Sequence, residues 1–437
     1  MLNNAVVEGT MSSTYQKLLP WFVCFSAALF FFYEFIQMNM FNAISSDLMR
    51  DFGIRAGNLG YLSATYLLGD VLFLLPAGML LDRLSVRKVI ISAMLLCISG
   101  TYFFSITNSI FLAGICHFAA GIGNAFSFLS CIMLASRWFP PRRMALVTGL
   151  IVTFAMAGGV AAQAPLTFLA EAVGWRQALV YIAILGVVIL GLILLVVRDY
   201  PPNKQYLREE KQKNLQALGF FNSLKLAFSN LQNWLCGVYT SLLNLPIMLL
   251  GALWGSMHLV EVHHLSHQSA SYVTSMIFVG TIVGAPVIGW LSDRLCLRRM
   301  PMIIFGVFSL TVILPIIYIP NLSFITLIIL YFLLGFMTSA QVISYPTIAE
   351  SNPKVVTGTA MGLASLLIMG GGAVSQPLFG YILDLGGSKI VNGLPWYSAT
   401  DFNRALLIIP IAFVIALLAA WKIRETHCLP IVEAKQL

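Results

Sequence analysis

Three ionisable side chains lie inside long apolar stretches of this 437-residue chain: Glu34, Asp70 and His117. Of its 17 Asp and Glu residues, only Glu34 and Asp70 lie well inside such stretches. A carboxylate in apolar surroundings is unfavourable unless it is paired or protonated, so it can take up and release a proton. Histidine changes charge near neutral pH. We expect these three residues to carry proton coupling, with an ordinary interhelical hydrogen bond as the alternative for each.

Uncharged polar side chains recur at helical spacing in the same apolar stretches. Residues three or four positions apart share one helix face. Such a face can line a solute cavity near the middle of a membrane, or it can hold neighbouring helices together. The cavity candidates are Tyr33, Gln37, Asn124, Ser127, Thr240, Asn244, Gln341 and Tyr345.

Other kinds of site are not predicted. The seven cysteines form no CxxC pair and are expected to be small buried hydrophobic residues. No nucleophile–base pair, nucleotide loop or zinc spacing occurs, so we expect no enzyme, no cofactor and no metal. Four histidines lie close together, at positions 258, 263, 264 and 267. We interpret them as an exposed His-rich loop, with a metal site or a pH sensor as the alternatives.

Composition sets the fold class. The chain is 59% hydrophobic and 10% charged, whereas soluble proteins have about 25% charged residues. It contains about a dozen apolar runs of roughly 20 residues, long enough to cross a bilayer as helices. We therefore predict an all-α membrane protein with twelve transmembrane helices. The predicted spans are 18–42, 58–81, 88–106, 110–136, 146–170, 177–197, 229–257, 269–291, 300–319, 322–347, 357–383 and 403–421.

The distribution of charge predicts the orientation. An even number of spans places both termini on one side, and the loops on that side hold 20 of the 25 Lys and Arg residues. Cytoplasmic loops are enriched in positive charge, so both termini are predicted to be cytoplasmic. The net charge of +8 is then explained by the positive charge of the cytoplasmic loops and requires no nucleic-acid partner. The first apolar run is interpreted as an uncleaved span.

The chain contains an internal repeat. The stretch Gly78–Lys88 (GMLLDRLSVRK) recurs 211 residues later as Gly289–Arg299 (GWLSDRLCLRR). Spans 5 and 11 repeat with an offset of 213, which relates Gln163 to Gln376, and this symmetry favours a structural role for both glutamines. We predict two pseudo-symmetric six-helix bundles, 1–197 and 226–437, joined by a cytoplasmic linker, 198–225. Glu34 and Asp70 have no acidic counterpart in the second half.

The doubled loop, G-x-x-x-D-R-x-x-x-R-K/R, resembles the signature of the major facilitator superfamily, and the resemblance covers essentially the whole chain. It implies a central cavity between two bundles and a conformational latch that holds the outward-open state. Simple anchoring by positive charge is the alternative for the loop. The latch residues implied are Gly78, Asp82, Arg83, Arg87 and Lys88, with their copies Gly289, Asp293, Arg294, Arg298 and Arg299.

A narrower resemblance rests on Tyr33-Glu34-Phe35 and on residues 47–53. These residues resemble a group of bacterial importers that includes amino-acid and nucleoside importers of phagosomal bacteria and inner-membrane siderophore transporters. The group implies a monomer in the bacterial inner membrane.

We therefore expect a proton-coupled importer of a small polar solute such as an amino acid, working by alternating access. No Lys or Arg lies well within a span, which disfavours multiply charged anions. A transporter of a carboxylate siderophore or a dipeptide, and a ligand sensor that does not transport, remain as alternatives.

Overall fold

The computed structural model describes residues 13–139, 144–201, 220–352, 357–386, 389–391 and 394–429. Within them, twelve helical stretches are long and apolar enough to cross a membrane, as predicted. Lipid supplies no hydrogen-bond partner for the backbone, so each apolar run satisfies its own backbone as a helix. The spans are Leu18–Asn39, Ala56–Gly78, Val86–Ile106, Ile110–Trp138, Val147–Val173, Trp175–Val196, Leu231–His263, His267–Leu295, Arg299–Tyr318, Phe324–Glu350, Thr359–Leu385 and Ala399–Lys422.

Shorter elements make up and connect these spans. The α-helices are α1 (Ser13–Asn39), α2 (Phe41–Phe52), α3 (Ala56–Arg83), α4 (Val86–Ile106), α5 (Ile110–Trp138), α6 (Met144–Ala161), α7 (Ala164–Val173), α8 (Trp175–Val196), α9 (Phe220–Ser229), α10 (Leu231–Leu243), α11 (Gly255–His263), α12 (His267–Leu295), α13 (Arg299–Tyr318), α14 (Phe324–Thr338), α15 (Ser344–Glu350), α16 (Thr357–Leu385), α17 (Ala399–Leu406) and α18 (Ile408–Lys422). Strands β1 (Lys389–Val391) and β2 (Leu394–Trp396) pair antiparallel.

Four spans are not continuous α-helices, which the sequence analysis did not predict; the simplest case is span 12, which breaks at Leu407 between α17 and α18. Span 5 breaks between α6 and α7, next to Gln163. Span 7 contains a π-helix, Ile247–Trp254, that begins after Pro246. Span 10 contains a short 3₁₀ turn, Ser339–Ile343. Such irregular turns within spans are common at functional sites because they redirect backbone carbonyls.

The repeat is visible in how the helices cross. A methyl group at Gly121 of span 4 would collide with the Tyr66 carbonyl of span 2. In the second half, a methyl group at Gly335 of span 10 would collide with the Ile277 carbonyl of span 8. Glycine is required at both positions because the two backbones touch there. The same close crossing therefore organises both halves.

The two membrane faces carry different connections. We call the face with the connections after the even-numbered spans the basic face, and the other the opposite face; the sequence predicts the basic face to be cytoplasmic. At Gly78, Gly149, Gly289 and Gly362, all toward the basic face, no described atom lies within 4 Å of where a Cβ would be. The close contacts between the halves described below lie toward the opposite face.

The predicted linker 198–225 is described only at its ends. Helix α9 begins inside it at Phe220 and continues past its predicted end to Ser229. Residues 202–219 lie outside the described residues. The domain boundaries therefore stay a prediction.

Candidate functional site

The Glu34 carboxylate lies inside the first half, where it is completely buried. The Tyr66 hydroxyl of span 2 is 2.8 Å from Glu34 Oε2 and 3.0 Å from the Glu34 carbonyl oxygen. A Cβ at Gly123 of span 4 would lie 3.2 Å from Glu34 Oε1 and 3.3 Å from Cys97 Cβ of span 3. Four spans therefore enclose this acid.

Asp70 lies one helical turn beyond Tyr66 on α3, so both side chains share a face. Asp70 is 2% exposed, and Asn124 of span 4 lies near its carboxylate, whose Oδ1 has no hydrogen-bond partner among the described residues. The Ser127 hydroxyl donates to the Asn124 carbonyl oxygen at 2.8 Å. We call Glu34, Tyr66, Asp70, Cys97 and Asn124 the carboxylate cluster.

The second half has no copy of this cluster. The repeat offset of 211 places Ile277 where the first half has Tyr66, and Thr281 where it has Asp70. The Thr281 hydroxyl donates to the Ile277 carbonyl, 2.9 Å away on its own helix. The two halves share the glycine crossing but not the acids, so the fold alone does not require the cluster.

His117 stands among aromatic rings beside the cluster. Its ring stacks on Phe41 with centroids 4.5 Å apart, and the Tyr66 and Phe104 rings are 5.1 and 5.7 Å away. Tyr66 therefore contacts Glu34 through its hydroxyl and His117 through its ring. The three predicted coupling residues are thus assembled around Tyr66, a residue that the sequence analysis missed. Its spacing of four from Asp70 was the available signal.

The predicted cavity residues of span 1 lie within the first bundle. Tyr33 and Gln37 are both completely buried. A Cβ at Gly186 of span 6 would lie 2.8 Å from the Tyr33 hydroxyl, so this side chain points toward span 6. In this conformation both residues contribute to packing between helices of the first half.

The predicted cavity residues of the second half lie at the irregular turns of spans 7 and 10. The Thr240 hydroxyl donates to the Gln341 carbonyl at 3.3 Å. Asn244, just before the π-helix, and Gln341, in the 3₁₀ turn, keep 7% and 8% of their surface exposed. Tyr345 is half-buried, with Ser365 of span 11 in hydrogen-bonding reach. Asn244, Gln341 and Tyr345 thus retain some access to solvent, as does Asn124 of the first half, which is also 7% exposed, whereas Thr240 is completely buried.

A buried amide network joins the two halves. Asn42 of α2 donates to Ser256 Oγ at 3.0 Å and to Thr274 Oγ1 at 3.2 Å, and it accepts from the Ser256 N–H at 2.8 Å. Gln163 donates to the Gly251 carbonyl of the π-helix at 2.8 Å and accepts from Thr274 at 2.9 Å. This network joins α2 and span 5 of the first half to spans 7 and 8 of the second at the opposite face.

The repeated glutamines have different partners. Gln163 reaches across to the other half, whereas Gln376 donates to the Met248 carbonyl of its own half at 2.9 Å. Both bind carbonyls of the same π-helix. Their sequence symmetry therefore does not extend to their contacts.

The first copy of the predicted latch is tied to the end of span 6. The Arg87 N–H donates to Asp199 at 2.8 Å, and its guanidinium donates to the Leu194 carbonyl at 2.6 Å. The Lys88 N–H donates to the Ser85 hydroxyl, which caps α4. The side chains of Asp82 and Arg83 lie outside the described residues.

The second copy forms an ion cluster. The buried Arg298 guanidinium contacts Asp293 at 2.6 Å and Glu350 at 2.7 Å. Burial opposes its charge, but the hydrogen bonds to Glu350 and Asp293 outweigh that effect, so the pKa of Arg298 is raised above its usual value. Glu425 accepts from the backbone N–H groups of Arg298 and Arg299 at 2.6 and 2.9 Å.

Replacing Arg298 with Met should destabilise the protein by about 3 kcal/mol, because it leaves the partly buried Glu350 carboxylate without its cation. Arg294→Met is the matched control; that exposed guanidinium only lies over the Trp290 ring, 5.1 Å from its centroid. Its loss should cost less than about 1 kcal/mol. Unfolding of the purified variants measures both, and equal losses would contradict the prediction.

The histidines at the end of span 7 are not all exposed. His264 and His267 are exposed, but His258 and His263 are buried with ring centroids 5.3 Å apart. The expectation of an exposed His-rich loop is therefore wrong for the buried pair. Helix α11 continues to His263, and the His258 ring packs near Phe402.

The sequence as a whole was compared with known families and proteins. The profile of the Major Facilitator Superfamily matches residues 24–257 and 238–430, which together span almost the whole chain. The chain belongs to the major facilitator superfamily. The membership predicted from the doubled loop motif is confirmed, and the protein is a multi-pass membrane transporter, not an enzyme.

Named relatives are distant but cover most of the chain. The probable galactarate/D-glucarate transporter GudP of Escherichia coli is 24% identical, over 86% of this chain and 86% of that protein. The probable sulfoacetate transporter SauU of Cupriavidus necator is 22% identical, over 82% of this chain and 86% of that protein.

A solved structure supports the fold. A bacterial homologue of the human lysosomal transporter Spinster, in an inward-facing and unoccupied conformation, superposes with a TM-score of 0.71 at 15% identity. The match covers 94% of this chain and 98% of that one. At this identity the likeness establishes the fold alone.

Proposed function

We propose that this secondary transporter uses the proton gradient to import a small polar organic solute, such as an amino acid. The carboxylate cluster is the observation that carries the proposal. It holds two buried acids in one half of a repeated fold, while the other half builds the same helix crossing without them. Groups of this kind within a membrane are associated with proton transfer.

We propose that the protein is a monomer in a bacterial inner membrane, with both termini in the cytoplasm. The charge bias of the loops supports it, and so do bacterial relatives. The basic face is then cytoplasmic, and the structure is closed on the outside. No described atom lies within 4 Å of a Cβ at Gly78, Gly149, Gly289 or Gly362, which supports a cytoplasmic face that is not closed in this state.

Asn244, Gln341 and Tyr345 are the proposed solute contacts. Amides and a phenol recognise hydrogen-bonding groups without supplying a fixed charge. Lys and Arg occur in the spans only near their ends, so a solute with several negative charges would lack a cationic partner at the middle. A neutral or zwitterionic solute fits this lining better.

Organic anions are the second candidate class, because the relatives are named for galactarate, glucarate and sulfoacetate. A carboxylate siderophore or a dipeptide is a further alternative. A ligand sensor built on the same fold would bind its solute without moving it.

Uptake into proteoliposomes tests these proposals. Labelled alanine, glutamine, a dipeptide and galactarate should be offered with and without an imposed proton gradient. We expect accumulation of a zwitterion that disappears when an ionophore collapses the gradient. Uptake of galactarate alone would overturn the proposed substrate class. Uptake that is indifferent to the ionophore would overturn proton coupling, and binding without uptake would favour the sensor.

A further inference from the structure

The start of span 2 lacks a cap of its own. Helix α3 begins at Ala56, and the residue at its N-cap position, Arg55, makes no side-chain capping hydrogen bond. The first N–H groups of a helix have no partner within the helix, and they need an oxygen from elsewhere. A cation at this end also opposes the helix dipole.

The missing cap is supplied by the other half of the molecule. Asp384, at the end of span 11, accepts the Gly57 N–H through Oδ2 at 2.8 Å. The Tyr397 hydroxyl accepts the Ala56 N–H at 3.0 Å and donates to Asp384 Oδ1 at 2.8 Å. Tyr397 is buried, and its burial raises the pKa of the phenol, so it stays neutral.

Spans 2 and 11 approach each other closely at the opposite face. A Cβ at Gly60 would lie 2.8 Å from the Cα of Pro377, and one at Gly380 would lie 3.0 Å from the Cα of Gly57. Spans 2 and 11 therefore meet backbone to backbone, with the Asp384 carboxylate at the helix start. This cap exists only while the opposite face is closed.

The repeat provides an internal comparison. The offset of 211 relates Arg55 to Ser266 and Gly57 to Gln268, and the offset of 213 relates Asp384 to Glu171. Ser266 caps α12 within its own half, by accepting from the Ser269 N–H. Glu171 instead binds the exposed Gln268 side chain at 2.6 Å. The cap from the other half is therefore found where the helix has Arg in place of Ser.

We infer that Asp384 and Tyr397 form a second latch, which caps span 2 from the other half and holds the opposite face closed. Opening this face breaks the cap and leaves the Ala56 and Gly57 N–H groups to water. The inference requires only that the protein alternates between two open states. It is independent of proton coupling and of the solute.

A thiol placed at position 271 reports the opening. Ser271 is buried between the halves, 2.6 Å from the Thr167 hydroxyl, so Ser271→Cys reacts with a maleimide only when the opposite face opens. Labelling is measured by peptide mass spectrometry on purified protein without solute or gradient, so that the native cysteines do not interfere. Thermal unfolding of each variant checks that it is folded.

We expect Asp384→Ala and Tyr397→Phe each to raise the labelling rate by about five- to tenfold, as for the loss of a helix cap. Glu171→Ala, the repeat-related control, should change it less than about twofold, in keeping with an exposed contact. Unchanged labelling in folded Asp384→Ala and Tyr397→Phe would overturn the latch. An equal increase with Glu171→Ala would also overturn it.

Position 55 tests the capping mechanism itself. Arg55→Ser supplies the cap that the second half already has, so adding Asp384→Ala to it should change labelling by less than about twofold. Arg55→Ala removes the same cation without supplying a cap, and Asp384→Ala should keep its full effect there. If Ser and Ala behave alike at position 55, Asp384 acts through charge alone and the capping mechanism is wrong.

Discussion

Glu34→Gln is expected to abolish accumulation of solute against its gradient. A proton that moves down 100 mV supplies about 2.3 kcal/mol, enough for roughly 50-fold accumulation. Glutamine keeps the shape of the side chain and can still hydrogen-bond to Tyr66, but it cannot bind and release the proton. The accumulation ratio in energised proteoliposomes should fall to about 1, while exchange of labelled for unlabelled solute across the membrane continues.

Glu171→Gln is the matched control for this prediction. It makes the same chemical change at an acid that accepts a hydrogen bond from the exposed Gln268 side chain. It should leave the accumulation ratio within about twofold of the wild-type value, as expected for an exposed contact. If Glu34→Gln still accumulates solute, Glu34 is not the proton carrier. Loss of exchange as well as accumulation would point to a structural role in place of coupling.

Gly121→Leu should prevent the first bundle from packing. The position has no room even for a methyl group, because the Tyr66 carbonyl of span 2 occupies that space. Overpacking costs typically 1–3 kcal/mol, and a backbone that cannot yield places this site at about 3 kcal/mol or more. For a bundle of about 200 residues, such a loss lowers the apparent melting temperature by roughly 6–12 °C. Thermal unfolding of purified protein measures it.

Gly149→Leu offers the same substitution where the described structure has open space. We expect this variant to fold with a melting temperature within about 3 °C of wild type. It should nevertheless transport poorly if the basic face closes around this position during the cycle, because the closed state then has no room for the new side chain. Equal melting temperatures for the two leucine variants would show that the close crossing at Gly121 is not needed for stability.

Several features followed from local sequence alone. The length of the apolar runs determined the twelve helices, because a backbone in lipid has to satisfy its own hydrogen bonds. The repeated spacing of Gly, Asp and Arg determined the superfamily. The absence of acidic counterparts at the equivalent positions of the second half singled out Glu34 and Asp70. Each of these features depends on residues close together in the chain or at a constant offset.

The contacts of the site depended on tertiary structure. Tyr66 became the partner of Glu34 because spans 1 and 2 both pack against span 4, and Tyr33 faces span 6 although it adjoins Glu34 in sequence. Helical spacing defines which residues share a face, but it does not say which neighbour that face meets.

Packing between the halves decided the rest. Gln163 and Gln376 occupy equivalent positions, yet of the two only Gln163 bridges the halves, because the carbonyls that they bind belong to one π-helix in the second half. In the sequence, Asp384 is notable only because the repeat offset of 213 relates it to Glu171. Its role as a cap for span 2 depends on two helix ends more than 300 residues apart meeting at one membrane face, and no local pattern encodes that distance.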